Sequence, residues 1–122
     1  MSKRILIADD SATFRLLQDV FLKQRGYLTL HAENGAQALK MAMEEKPDLV
    51  ICDIQMPVMD GVQVLSALKS SEVTKNIPIL IVTTIGRPFD RDLLLRNGAN
   101  DFLSKPINGF DLLVKVCRLI GA

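Results

Sequence analysis

The chain has 122 residues, enough for one domain burying roughly two thirds of its unfolded surface and too few for two. Hydrophobic residues at 48% and charged residues at 24% are a globular composition, which excludes both disorder and a coiled coil. Fifteen Lys and Arg against fourteen Asp and Glu leave a net charge of +1, too little for the electrostatic footprint of direct nucleic-acid binding.

Apolar runs such as Ile77 to Ile81 and Leu93 to Leu95 fall far short of the roughly 20 residues that span a bilayer. The basic start, Met1 to Arg4, is followed only by Ile5 to Ala8 before Asp9 and Asp10, so the apolar region of a secretory leader is missing and a cytoplasmic location is expected. Cys52 and Cys117 lack CxxC spacing, and His31 is the only other soft ligand. Both cysteines are expected to be plain buried thiols.

In chain order, Lys3 to Ala8 reads as a short apolar strand that stops at two aspartates. Ser11 then opens a helix with Phe14, Leu17, Val20, Phe21 and Gln24 at helical spacing, ended by Gly26. Leu28 to Ala32 is a weaker strand. Asn34-Gly35 starts a second helix whose Ala38, Leu39, Met41 and Ala42 can face a core, and Pro47 breaks it. Leu49 to Cys52 is a continuous apolar strand with Asp53 directly after it, followed by a loop carrying Pro57, Asp60 and Gly61. Val62, Leu65 and Leu68 mark a third helix. Ile77 to Val82 predicts a fourth strand ending at Thr83 and Thr84, and Arg87 to Arg96 a fourth helix that Gly98 can cap. Asp101 to Leu103 is a short fifth strand closed by Lys105-Pro106. Asn108 or Gly109 begins a last helix carrying Leu112, Leu113, Val116 and Leu119.

Strands that are apolar throughout are the mark of a parallel sheet covered on both faces, so five βα units give a doubly wound α/β fold. Five strands are too few for an eightfold barrel. The first βα turn, Ala8-Asp9-Asp10-Ser11, lacks the GxGxxG of a dinucleotide site.

Strands of a parallel sheet end on one edge, so the residues after them can converge in one crevice. Here those residues are Asp9, Asp10, Asp53, Thr83 and Lys105. Two unit negative charges about 4 Å apart repel by about 4 kcal/mol at an effective dielectric near 20, so three gathered carboxylates call for a cation. Lys105 neutralises one. Hard carboxylate oxygens with a backbone carbonyl suit Mg2+, which usually takes one or two carboxylates directly. Asp10 and Asp53 are the expected ligands, with Asp9 direct or through a water and the backbone carbonyl of Gln55 as a further ligand. A carboxylate can itself be the nucleophile in phosphoryl transfer. Asp53 would attack, Lys105 would balance charge on the transferring group, and the Thr83 hydroxyl would bond a phosphoryl oxygen.

The segments Ile5-Leu6-Ile7-Ala8-Asp9-Asp10, Asp48 to Gly61 around Cys52-Asp53, Thr83-Thr84, and Gly98 to Pro106 closing on Ser104-Lys105-Pro106 resemble, in order, the CheY-like receiver domains of bacterial two-component response regulators. The resemblance covers nearly the whole chain and implies a five-stranded parallel sheet of flavodoxin-like order 2-1-3-4-5, helices on both faces, and one receiver domain over residues 1–122. It implies that Asp53 is the phosphoacceptor, that Asp9 and Asp10 serve the metal, that Lys105 contacts the phosphoryl group, and that Lys105-Pro106 is cis. Thr83 and Phe102 are implied to form the switch, the hydroxyl moving inward on phosphorylation and the ring following into the vacated space. Phe102 stands where many relatives carry tyrosine, which removes a hydroxyl from the partner-facing side.

Gln55 and Ile85 stand where the resemblance places the flanks of water's approach. An apolar Ile85 cannot orient an attacking water, so slow self-dephosphorylation is expected. The implied phosphodonor is the phosphohistidine of a sensor histidine kinase or a histidine phosphotransfer protein, docking beside the first helix where Ala12 to Leu16 lie near the pocket. Output is implied to pass through the face of the fourth helix, fifth strand and fifth helix, with Arg87, Phe89, Arg91, Phe102 and Lys115, to a target protein or a second copy of the chain. The expected role is a phosphoacceptor for signalling, not an enzyme acting on other substrates. A phosphatase with an aspartyl nucleophile needs a second aspartate two residues on, and this chain has Asp53-Ile54-Gln55.

Overall fold

The computed structural model describes residues 2–84 and 89–121. Each helix begins where a polar side chain can take up its free N–H groups. Ser11 accepts from Phe14 N ahead of α1 (Ala12–Gln24), and Asn34 from Gln37 N ahead of α2 (Gly35–Glu45). Asp60 and Gln63 form a reciprocal capping box at α3 (Gly61–Ser70). Asp90 caps α4 (Arg91–Arg96), and Asn108 caps α5 (Gly109–Ile120). Between them run β1 (Arg4–Ala8), β2 (Leu28–Ala32), β3 (Leu49–Asp53), β4 (Ile79–Thr84) and β5 (Asp101–Lys105).

The strands form one parallel sheet in the order β2-β1-β3-β4-β5, as expected. Alternate residues of the inner strands β1, β3 and β4 enter opposite cores, which is why those strands read as continuous apolar runs. Leu6, Val50, Cys52, Ile79 and Ile81 pack under α2, α3 and α4 with Ala38, Ala42, Leu65, Leu68 and Leu94. Ile5, Ile7, Ile51, Leu80 and Val82 pack under α1 and α5 with Leu22, Leu112 and Val116.

Five local expectations shift. β4 starts two residues later than Ile77, because the Ile77 N–H is already bonded to Thr74 O and Pro78 has none to give. It runs on through Thr83 and Thr84, which pair with Ser104 and Lys105 of β5. β5 likewise continues to Lys105, which pairs with Thr84, so the rim residues Asp53, Thr83 and Lys105 belong to the strands and are held by the ladder. α4 is short, since Asp90 caps it at Arg91; Ile85 and Arg87 lie outside the described residues. In α1 the buried residues are Gln18, Asp19 and Leu22, while Leu17 and Val20 of the predicted stripe face out. Burial of Asp19 is met by three donors: Thr29 Oγ1, His31 Nε2 at 3.1 Å and Lys23 Nζ at 3.1 Å. Of the two free thiols Cys52 is buried, but Cys117 is only partly so, since it lies on the outer side of α5.

Candidate functional site

At the C-terminal edge of the sheet, Asp9 is 1% exposed and Asp53 4%. Each is only one residue from a fully apolar strand interior. Lys105 reaches both: its Nζ lies 2.9 Å from Asp53 Oδ2 and 2.9 Å from Asp9 Oδ2. The same ammonium stands 4.0 Å from the ring centroid of Phe14 on α1, whose face adds favourable electrostatics. Backbone groups fix the remaining oxygens. Ser11 N donates to Asp9 Oδ1 at 2.9 Å, and Gln55 N donates to Asp53 Oδ1 at 3.3 Å. One carboxylate oxygen each of Asp9, Asp10 and Asp53 fall within 4.8 Å of one another, with Asp10 on the exposed side.

This crowding has an electrostatic signature. Burial raises the pKa of Asp53, the Lys105 hydrogen bond works against it, and the Asp9 charge adds to the rise, so the net shift is upward. Burial alone would lower the pKa of Lys105, but its two carboxylate partners outweigh that and raise it. One ammonium thus serves two carboxylates, and the third, Asp10, has no cationic partner among the described residues.

The residues fit a hard divalent cation. Asp9 Oδ2 is buried, and its one polar neighbour among the described residues is the Lys105 ammonium at 2.9 Å, which it shares with Asp53. Half of one shared ammonium leaves Asp9 short of countercharge, and its carboxylate with those of Asp10 and Asp53 close by is the hard oxygen donor set that Mg2+ prefers. Beside it, Asp10, Ile54, Gln55, Met56, Pro57 and Asp60 line an open cleft of about 600 Å³. Its wall is set by a close approach: a Cβ on Gly61 would lie 2.5 Å from the Asp53 carbonyl oxygen, and Gly61 N donates to Ile54 O at 2.7 Å.

Of the predicted site residues, Asp9, Asp10, Asp53 and Lys105 come together. Thr83 sits on the same rim, but its hydroxyl is 3.3 Å from Ser104 Oγ, its register partner on β5. Strand parity accounts for this. Thr83 follows Ile81 and Ser104 follows Phe102 on the α2–α4 face, whereas Asp53 and Lys105 follow Ile51 and Leu103 on the α1–α5 face. Phe102 is buried under α4, with the Arg91 guanidinium 4.4 Å from its ring centroid and the Phe89 ring at 5.9 Å. Lys115 pairs with Asp101 at 3.1 Å, tying α5 to β5.

A model of the response regulator receiver domain matches residues 5–117. The chain belongs to that family. It is 41% identical to the protein PilH of Pseudomonas aeruginosa over 97% of this chain and 98% of that one. It spans about half the length of several other curated relatives. Its fold superposes on a putative response regulator from Chloroflexus aurantiacus with a TM-score of 0.93 and 30% identity, covering both chains fully. The receiver domain of the sensor histidine kinase PA1611 of Pseudomonas aeruginosa, crystallised with a magnesium ion coordinated in its active-site cleft, matches with a TM-score of 0.90 and 27% identity, again over both full chains. This receiver domain thus works in two-component signalling, and no helix among its described residues is long and apolar enough to cross a membrane.

The sequence places Ala12 to Leu16 near the pocket but does not reveal the individual contacts of Phe14 and Arg15, nor Ser104 or the stacking of Arg91 on Phe102. Spacing held a partial signal for Phe14 alone, four residues past Asp10. Ser104 and Arg91 gain their roles through strand register and the seating of α4.

Proposed function

We propose that this receiver domain accepts a phosphoryl group on Asp53. The observation that carries the reading is the Lys105 ammonium shared at 2.9 Å between Asp53 and Asp9, beside the exposed carboxylate of Asp10. A carboxylate oxygen of Asp53 attacks the phosphorus of a phosphohistidine, the P–N bond breaks, and the imidazole nitrogen leaves with the electron pair while an acyl phosphate P–O bond forms. Asp10, Asp53, the Gln55 carbonyl and Asp9, directly or through a water, would hold Mg2+, which when bound supplies positive charge to the phosphoryl oxygens. Lys105 supplies further positive charge without moving far, because strand pairing holds its backbone. Burial of Asp53 and Asp9 strengthens each of these interactions by excluding water.

The donor histidine, on a sensor kinase or a histidine phosphotransfer protein, reaches the pocket over α1. There Leu16 is 61% exposed and Leu17 and Val20 continue an apolar stripe beside the site. On phosphorylation Thr83 exchanges Ser104 for a phosphoryl oxygen, and Phe102 follows it across their common face of the sheet. The change is read on the α4-β5-α5 face by a target protein or a second copy.

Incubation with a small phosphodonor and Mg2+ followed by intact-mass measurement tests the reading. Wild type should gain one phosphoryl group and Asp53→Asn none. Absence of the gain in wild type would sink it, as would an equal gain in the variant.

A further inference from the structure

Asp10 is the weakest-held member of the acidic cluster: its carboxylate is exposed and makes no hydrogen bond or ion pair among the described residues. Its position therefore depends on the Asp9–Asp10 backbone. That backbone is gripped from three sides. Asp9 N donates to Ala32 O at 3.1 Å, Ser11 N donates to Asp9 Oδ1 at 2.9 Å, and Arg15 Nη1 donates to the Asp9 carbonyl oxygen at 2.5 Å. The last is a charge-assisted bond from a side chain that is only 11% exposed. The other end of the guanidinium stands 3.9 Å from the solvated Glu33 carboxylate, too far for a tight pair. Arg15 thus keeps a buried cation aimed at one peptide carbonyl, and that peptide carries Asp10.

We propose that Arg15 is a positioning residue for the divalent-cation site, locking the Asp9–Asp10 turn so that both carboxylates face Asp53; this rests on the metal-dependent reading above. A competing effect has the opposite sign. A guanidinium near three carboxylates lowers their negative potential and so weakens cation binding. Positioning dominates here, because the guanidinium contacts backbone and Glu33 and makes no contact with the three carboxylates among the described residues.

The test is titration of the whole chain with Mg2+ by calorimetry, comparing wild type, Arg15→Met and Arg15→Lys. Met keeps the apolar stem and removes the donors. Its Kd for Mg2+ should rise about tenfold, the lower end of what loss of an outer-shell partner costs, and Lys should recover most of that affinity. The phosphorylation rate of Arg15→Met should return to the wild-type value at saturating Mg2+, while the far-UV circular dichroism of the metal-free variant matches wild type, which separates lost positioning from a loss of fold that Mg2+ could reverse. Amide chemical shifts of Asp9, Asp10 and Ser11 supply a readout independent of activity and should move in the metal-free variant. An unchanged or tighter Kd in Arg15→Met, beside saturable binding in wild type, overturns the role of Arg15. Absence of saturable binding in wild type brings down the metal-dependent reading and, with it, this one.

Discussion

The Lys105 ammonium divides itself between Asp53 Oδ2 and Asp9 Oδ2 at equal distances of 2.9 Å, so neither carboxylate has a whole countercharge. Asp53→Asn leaves the Lys105–Asp9 contact in place and removes one crowded charge. The folded-state pKa of Asp53 is raised, so its contribution to stability is fully present below the ordinary carboxylate value of 3.8 and is lost as pH rises through the folded value. Without metal at neutral pH, Asp53→Asn should therefore melt above wild type, by about 3–6 °C for each kcal/mol relieved. The gap should close as pH falls to the unfolded carboxylate range. It should also narrow with Mg2+, which neutralises the same cluster in wild type. Melting curves across pH, with and without chelator, check this.

Gly61→Ala should damage the site without touching a charged group. The new methyl would meet the Asp53 carbonyl oxygen at 2.5 Å and Ile54 Cα at 2.7 Å, both backbone atoms that cannot turn aside. A loss of about 1–3 kcal/mol is expected from such overpacking, with slower phosphorylation as the end of β3 shifts. Urea unfolding and the rate with a small phosphodonor measure the two effects.

Arg91→Ala should loosen Phe102. The guanidinium 4.4 Å from the ring centroid contributes about 0.5–1 kcal/mol at a partly exposed site, equivalent to roughly a two- to fivefold shift in a two-state equilibrium. Fluorine NMR of fluorophenylalanine-labelled protein should show a larger second population for Phe102 in the unphosphorylated variant. An unchanged spectrum would mean that Phe89 and Leu94 hold the ring without help.

Asp19 supplies a pH dependence away from the pocket. Burial raises its pKa, but the donors Thr29, His31 and Lys23 outweigh burial and leave it below the ordinary carboxylate value of 3.8. Its stabilising contribution is then present above 3.8 and is lost as pH falls through the still lower folded value. Asp19→Ala should cost about 1.5–3 kcal/mol at neutral pH, the range for hydrogen bonds to a charged group, and much less once Asp19 is protonated in wild type. Denaturant midpoints at neutral and strongly acidic pH test it.

Much of this molecule is readable along the chain. Runs such as Ile5 to Ala8 and Leu49 to Cys52 have no polar alternation, and that pattern requires a parallel sheet covered on both faces. Ser11, Asn34 and Asn108 announce helix starts because capping is local chemistry, decided within three residues, whereas Asp60 reads as part of a loop until its capping box with Gln63 is seen. Asp9, Asp10, Asp53 and Lys105 could be grouped before any coordinates, since parallel strands must end on one edge.

What needed the tertiary structure depends on register, parity and helix seating across long separations. Lys105 and Asp53 are 52 residues apart, and their contact exists because β4 stands between their strands and holds both rows in step. The same ladder turns Thr83 toward Ser104 on the opposite face. Helical spacing in α1 identified a helix but not its buried side; burial of Asp19 is decided by Thr29 and His31 on β2, and the role of Arg15 by an Asp9 carbonyl whose direction no side-chain pattern reports. Sequence alone thus determined which chemical groups gather at the sheet edge, because strand direction is a topological property. Their partners came from the folded backbone, because a hydrogen bond is decided by tenths of an ångström and by orientation.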